Sequence, residues 1–244
     1  MRLVVAVLWA AVLWAQPAFE VASIKPWTSR EIGGVHTYAG GRVEFRGCTL
    51  EYLIQQAFDV QRFQVSGGPG WLRSERYDID AKPPESSDSS RSRPPYSKAP
   101  MNQEQRQMLR ALLAERFQVQ YHRDTKEGPI YLLVKGSKPL RMTDSKDKNE
   151  FPWSRVTARG LVGTNESMSD LAWRLSESLE RPVLDRTGIA GSYDFDAPYA
   201  TGDAPPDLVA ETLATVQELG LKLEPSRGPV EMIVIERAEK PSAN

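Results

Sequence analysis

The same order of short motifs occurs twice in this chain, and this repetition limits what the chain can fold into. Thr49–Ile54 (TLEYLI) returns as Ser167–Ala172 (SMSDLA). Arg76–Asp80 (RYDID) returns as Ser192–Asp196 (SYDFD). Because a capped helix start and a strand recur in the same order, the pattern predicts one structural unit that is built twice.

The distance between matching motifs shrinks along the chain. Leu53 and Leu171 lie 118 positions apart, whereas the Gly-Pro pairs that begin at Gly128 and Gly228 lie 100 positions apart. Most of the difference falls in a Pro- and Ser-rich stretch of the first copy, residues 83–100. Such a composition buries too little apolar surface to offset the entropy of ordering. We therefore expect a mobile surface loop there.

The first fifteen residues have one arginine and then an unbroken apolar run from Leu3 to Ala15. A run of this length after a basic start is typical of a secretory signal, since a membrane-spanning helix needs about 20 apolar residues. We expect a signal peptide at residues 1–15 that is cleaved after Ala15, and a secreted or periplasmic protein without a membrane span after cleavage. The alternative is an uncleaved membrane anchor or a buried strand.

Cysteine count and charge exclude several classes of protein. Cys48 is the only cysteine, which excludes an intramolecular disulfide framework and any site with several thiolate ligands. The 31 basic and 32 acidic residues nearly balance, which argues against a nucleic-acid surface or a strongly basic membrane-binding face. We expect no cofactor.

Each copy is predicted to contain two amphipathic helices. Leu50, Leu53, Ile54, Ala57 and Phe58 have helical spacing, and the second copy repeats this pattern from Met168. The second helices are predicted at Gln103–Arg116 and Leu208–Leu219. The predicted helix caps are Thr49, Asn102, Ser167 and Asp207.

Short segments with strand composition separate these helices. In the first copy they are Phe19–Ile24, Arg42–Arg46, Arg62–Ser66, Arg76–Ala81, Gln118–His122 and Ile130–Lys135. In the second copy they are Leu161–Thr164, Pro182–Asp185, Ser192–Ala197, Leu221–Pro225 and Val230–Arg237. The last segment is apolar on both faces, which predicts a central or covered strand.

These elements predict an α+β protein of two tandem ferredoxin-like (βαββαββ) two-layer sandwiches that are related by internal duplication. We assign the first copy to residues 16–136 and the second copy to residues 156–240. A charged connector, residues 137–155, joins them. A cleft between two related lobes is a common place for a ligand.

Few residues in this sequence have the spacing of a catalytic or metal site. His36 and His122 form no His-Glu-x-x-His motif, and no Gly-x-Ser-x-Gly nucleophile turn is present. The Gly clusters at 66–70 and 187–191 lack the Gly-Lys-Ser/Thr ending of a phosphate loop, so we interpret them as hairpin turns with positive φ. Cys48 precedes a helix cap, where a thiol can be activated, but a small packed residue is the commoner use.

Two acidic pairs, Asp78 with Asp80 and Asp194 with Asp196, are the remaining candidates. Residues two apart on a strand share a face, so each pair could hold a metal or act as acid and base. The alternative is simple alternation, with apolar neighbours in the core and the acids in water. We favour alternation because duplicated halves tend to share what folding requires.

Several stretches resemble a family of uncharacterised secreted proteins that is expanded in Acidobacteria. The stretches are Phe19–Pro26 (FEVASIKP), Ser66–Leu72 (SGGPGWL), Leu112–Phe117 (LLAERF), Arg181–Gly188 (RPVLDRTG) and Leu219–Pro225 (LGLKLEP). The resemblance implies export, with no established activity or active site. Some similar domains are joined to the outer side of membrane antirepressor peptidases, which would suit sensing or docking.

The sequence thus favours a secreted or periplasmic binding or adaptor protein without catalysis, whose partner is a protein or an envelope component and not a nucleic acid. One alternative is an exported hydrolase. Its catalytic groups would come from Asp78, Asp80, Asp194, Asp196, Cys48 and His122. The other is a structural envelope protein that self-associates through its strand edges.

Overall fold

The computed structural model describes residues 17–29, 33–84, 101–146, 152–157, 159–199 and 207–241, which form four α-helices and twelve strands. The helices are α1 (Leu50–Phe58), α2 (Gln103–Arg116), α3 (Met168–Leu179) and α4 (Leu208–Glu218). The strands are β1 (Val21–Pro26), β2 (Gly34–Thr37), β3 (Val43–Thr49), β4 (Val65–Gly67), β5 (Arg76–Lys82), β6 (Gln120–Lys135), β7 (Thr143–Asp144), β8 (Trp153–Thr157), β9 (Gly160–Glu166), β10 (Val183–Asp185), β11 (Tyr193–Pro198) and β12 (Leu221–Arg237). The α+β class is confirmed.

All four helices begin at the predicted caps. The side chains of Thr49, Asn102, Ser167 and Asp207 each accept a hydrogen bond from a backbone N–H of the first turn. α1 and α3 also end alike, since Asp59 and Glu180 both adopt left-handed conformations, with φ of 57° and 47°. The apolar spacing and the caps in the sequence were therefore sufficient to predict the helices.

Two outer sheets have the same strand order. The first sheet runs β1-β5-β3-β2 and the third runs β7-β11-β9-β8, and every neighbouring pair in both is antiparallel. In each sheet the third strand in this order, β3 or β9, leads directly into a helix, α1 or α3. Strands β2, β7 and β8 were not predicted, because they are short edge strands of mixed composition.

A central sheet of order β10-β6-β12-β4 joins the two halves. β6 and β12 pair antiparallel along nearly their whole length, with Gly128 opposite Gly228. At the two ends of this pair, β4 lies parallel to β12 and β10 lies parallel to β6. The predicted strand Val230–Arg237 is part of β12, which is central as expected.

β6 and β12 are continuous strands, and the predicted break at each Gly-Pro pair was wrong. The N–H of Tyr131 donates to the carbonyl of Pro182, the residue just before β10, at 2.8 Å and away from β12. Alternate residues of a strand direct their N–H groups to the same side, so the nitrogen of Pro129 also faces away from β12. Since β10 pairs only with residues 131–133, proline loses no hydrogen bond to it there.

The two glycines fit because larger residues cover them. A Cβ added to Gly128 would lie 3.0 Å from a methyl group of Val230, and a Cβ added to Gly228 would lie 2.9 Å from a methyl group of Ile130. The contacts are reciprocal between the matching Gly-Pro motifs. Close pairing of the two strands therefore requires glycine at both positions.

Each of the two hydrophobic cores takes side chains from both halves. The first core packs the first sheet, α1 and α2 against Ile233 and Ile235 of β12. The second core packs the third sheet, α3 and α4 against Leu133 of β6. Because the central strands lie in a shared sheet, the tandem ferredoxin-like arrangement is not confirmed.

The Gly clusters at 66–70 and 187–191 do have positive φ, with 76° at Gly67 and 63° at Gly188. They are not hairpin turns, however, because β4 and β10 lie in the central sheet while β5 and β11 lie in the outer sheets. Each cluster instead carries the chain from one sheet to another.

Some predicted segments lie outside the described residues. These are the signal peptide at residues 1–15 and most of the Pro/Ser-rich loop at 83–100. The domain boundaries stay a prediction; β7 and the start of β8 lie within the predicted connector. Within the described part of the chain, the helices are all too short or too polar to cross a membrane.

The shared cores predict that a substitution in β12 destabilises the first half. Ile233 is fully buried, so Ile233→Ala should lower the free energy of unfolding by about 2–4 kcal/mol in urea denaturation. Amide hydrogen exchange should become faster in α1 and α2. The control is Val234→Ala, on the opposite, partly exposed face. Faster exchange in α3 and α4 alone would contradict the shared core.

Candidate binding groove

The first carboxylate of each acidic pair holds a β-bulge. Asp78 Oδ1 accepts the backbone N–H of Gly47 at 3.0 Å, and Asp194 Oδ1 accepts the N–H of Asn165 at 2.8 Å. Gly47 and Asn165 have φ of 58° and 53°, which turns the strand shortly before its helix begins. These two acids therefore shape the backbone where strand becomes helix.

The second carboxylates of the two pairs, Asp80 and Asp196, have different surroundings and do not share a role. Asp80 accepts a hydrogen bond from Nε of Arg42 at 2.8 Å, and this contact lowers the pKa of Asp80. Asp196, by contrast, is exposed. Within the described ranges, no group of three or more His, Cys, Asp or Glu residues is arranged to hold a metal ion. The acidic pairs thus follow the alternation of their strands.

Cys48 and His122 lie in different sheets, on β3 and β6. Cys48 is 4% exposed, and burial raises the pKa of its thiol to about 12, so the thiol stays protonated at neutral pH. His122 lies on β6 with Nδ1 2.7 Å from an oxygen of Glu236. Of the candidate catalytic residues, Cys48 and Asp196 line two different cavities.

A groove runs between α1 and α3. One cavity of about 580 Å³ is lined by both helices and by Val35, Met101 and Pro152. A second cavity, of about 370 Å³, continues it and shares four lining residues, which are Tyr52, Gln55, Gln61 and Glu177. We call this joined surface the α1–α3 groove.

Hydrogen bonds across the groove hold its two sides together. Nε2 of Gln61 donates to the carbonyl of Trp173 at 3.0 Å. A guanidinium nitrogen of Arg62 lies 3.0 Å from Glu180 Oε1. Arg62 and Glu180 are both well exposed, so this ion pair contributes little stability. The buried amide contact of Gln61 is the firmer link, since Gln61 is 6% exposed.

Aromatic side chains are exposed in the groove. Tyr52 on α1 is 36% exposed and Trp173 on α3 is 39% exposed. The guanidinium of Arg174 lies 5.3 Å from the centroid of the Trp173 ring, so the ring already accepts a cation at its face. Exposed aromatic rings next to polar groups are typical of binding surfaces.

Carboxylates outnumber guanidinium groups in the groove by six to three. The acids are Glu51, Asp59, Glu166, Asp170, Glu177 and Glu180, and the bases are Arg62, Arg106 and Arg174. Three of the acids form ion pairs: Asp59 with Arg106, Glu180 with Arg62, and Glu51 with Arg73 outside the groove. Burial and the charge of Glu177 both raise the pKa of Tyr52. The groove therefore has an acidic character.

Glu166 is a buried carboxyl group beneath the groove. It is 0% exposed and lines the groove, and neither of its oxygens has a partner with hydrogen-bond geometry among the described residues. Burial raises its pKa; the nearby Ser154 hydroxyl and Arg174 lower it, and Asp170 raises it further. A buried carboxyl group without a hydrogen-bond partner destabilises a fold unless a bound molecule supplies a donor.

Glu166 stands at the position that matches Cys48 of the first repeat, and no motif in the sequence marks it. The sequence signal for Glu166 is that a charged residue stands where the first repeat has the small residue Cys48. The groove itself has no sequence motif, because it arises from the packing of α1 beside α3.

One protein family matches residues 51–238 of this chain, and it is described as a protein of unknown function (DUF3738). The chain belongs to the DUF3738 family. The matched region begins in α1 and ends just after β12, so it covers all of the second half and most of the groove lining, while β1, β2 and β3 of the first half precede it. No curated protein and no solved structure matches the chain.

The bulge contacts predict that substitutions of Asp194 and Asp196 change the free energy of unfolding by different amounts. Asp194→Ala should lower the free energy of unfolding by about 1–3 kcal/mol, because it removes the acceptor for the Asn165 N–H. Asp196→Ala is the matched control and should change stability by less than about 0.5 kcal/mol. Urea denaturation measures both. Equal effects would remove the structural role assigned to Asp194.

The raised pKa of Glu166 predicts a pH dependence of stability. The folded state disfavours the charged carboxylate, so the free energy of unfolding should fall as pH rises from the ordinary value of 4.5 to the raised pKa. Glu166→Gln should remove this fall and make the protein more stable at neutral pH. Exposed Glu115→Gln serves as the control. Identical pH profiles for wild type and Glu166→Gln would exclude a raised pKa.

Proposed function

We propose that this DUF3738 protein is a secreted or periplasmic, non-catalytic binding or adaptor protein of the cell envelope. Its partner, a protein or an envelope component, binds in the α1–α3 groove. The observation that carries the proposal is the groove itself, where exposed Tyr52 and Trp173 lie among unbalanced carboxylates. Export is supported by the apolar run at residues 3–15.

The hydrolase alternative receives less support. Asp78 and Asp194 are bound to backbone N–H groups, Asp80 is paired with Arg42, and the Cys48 thiol is protonated. A hydrolase would need at least two of the candidate groups in one pocket.

We further propose that the domain arose by duplication and fusion of a βαββαββ unit, in a secreted family of Acidobacteria. The equal strand orders of the outer sheets support the duplication. So do the matching bulges at Gly47 and Asn165, and the Gly128–Gly228 pair. In this proposal, the two units exchanged the ends of β6 and β12. The end of each strand then packs in the core of the other unit, which explains why the cores are shared.

Site-specific photo-cross-linking in the native cell envelope tests the binding function. A photoreactive phenylalanine analogue at Tyr52 or Trp173 should give a light-dependent adduct with a different molecule. The same analogue at Val209, which is exposed on α4, is the control and should give none. Adducts of the chain with itself alone would support the self-associating alternative and contradict an adaptor role.

A further inference from the structure

Resting on the proposed function, we infer that the α1–α3 groove binds an extended, basic segment of another protein. A guanidinium or ammonium group of that segment lies against Tyr52 and Trp173 and pairs with Glu177. Three features of the groove support this chemistry: its charge, its aromatic rings and its buried carboxyl group.

The charge of the groove selects a cationic partner. After the ion pairs of Asp59, Glu180 and Glu51 are formed, Glu166, Asp170 and Glu177 remain against the single guanidinium of Arg174. Asp170 already accepts the hydroxyl of Ser167 at 2.6 Å at the start of α3. Glu177, one helical turn beyond Trp173, forms no ion pair in the described part of the chain. It is therefore the best placed acid to meet a cation.

The rings add an attraction that a carboxylate cluster alone lacks. A cation over an exposed tryptophan or tyrosine face gains free energy from the ring quadrupole, and more when water is excluded. Arg174 shows that the face of Trp173 accepts a guanidinium. Tyr52 lies on the opposite helix and lines both cavities of the groove.

Glu166 is the independent indication of a ligand. Its two oxygens are buried, and neither has a donor of suitable hydrogen-bond geometry among the described residues; the Ser154 hydroxyl, whose contact lowers the pKa of Glu166, also falls short of that geometry. A carboxyl group in this state gains most from a ligand that brings N–H donors. A guanidinium, with five donors, is the side chain best suited to supply them.

The length and walls of the groove favour a protein segment over a small amine. The two joined cavities extend past α1 and α3, and residues of two edge strands or their neighbours reach them, Val35 in β2 and Pro152 before β8. An extended segment can lie along such an edge and present alternate side chains to a pocket. The acidic lining excludes a nucleic-acid backbone.

Fluorescence anisotropy with a labelled peptide tests the inference on the full mature chain. The probe is a short peptide of alternating arginine and threonine, and its control has citrulline, which is neutral and of similar shape, in place of arginine. We expect the citrulline peptide to bind at least about tenfold more weakly. Added salt should weaken binding of the arginine peptide.

Three variants locate the interaction. Glu177→Gln should reduce affinity for the arginine peptide by about two- to fivefold and Trp173→Ala by about two- to tenfold, and Glu166→Gln should also reduce it. Glu115→Gln, on the exposed face of α2, is the matched control and should leave affinity unchanged. Unchanged affinity in Glu177→Gln, or equal binding of the citrulline peptide, would overturn the inference.

Different experimental results would contradict the proposed adaptor function and the proposed basic ligand. If groove positions capture a partner by cross-linking in the envelope while the arginine peptide does not bind, the basic ligand is wrong and the adaptor function stands. If the peptide makes the chain dimerise in sedimentation instead of binding in the groove, the groove is an interface between copies. If the groove captures nothing and binds no peptide, both proposals are wrong.

Discussion

The structure depends on the pairing of β6 with β12 around Gly128 and Gly228. Each strand begins beside its own half and ends in the core of the other, so neither core is complete without both strands. Loss of this pairing would expose apolar side chains in both cores together. The groove lies between α1 of one half and α3 of the other, so it too requires that the halves stay joined.

The sequence predicted the local structure well and the sheet partners poorly. Apolar spacing and polar caps are local signals, and the helices followed them closely, as α2 at Gln103–Arg116 shows. Strand pairing is non-local, so the Gly-Pro motif at 128–129 gave a break where the structure has close contact between strands. The apolar pattern on both faces of Val230–Arg237 predicted a strand that is central or covered by the partner copy, and Ile233 of that strand completes the first core.

The candidate site was harder to predict for a related reason. Asp78 and Asp194 were candidate site residues in the sequence. They recur because each bulge needs an acceptor for a backbone N–H, so their repetition has a structural cause. Glu166 could not be predicted as a site residue, because its role depends on burial without a hydrogen-bond partner among the described residues, and a sequence pattern does not show this. In this chain the recurring acids are therefore structural residues, whereas the difference between Cys48 and Glu166 at matching positions marks a candidate for function.

The two walls of the groove differ in their side chains, and this difference affects how a ligand would bind. α1 and α3 occupy matching places, but the side chains that line the groove do not match across it. Tyr52 corresponds in the repeat to Asp170, and Trp173 corresponds to Gln55. A groove between two similar helices with similar linings would accept a ligand in either direction. With Trp173 and Asp170 on one wall and Tyr52 on the other, the two directions differ in charge and ring contacts, so an extended basic segment would bind in one orientation.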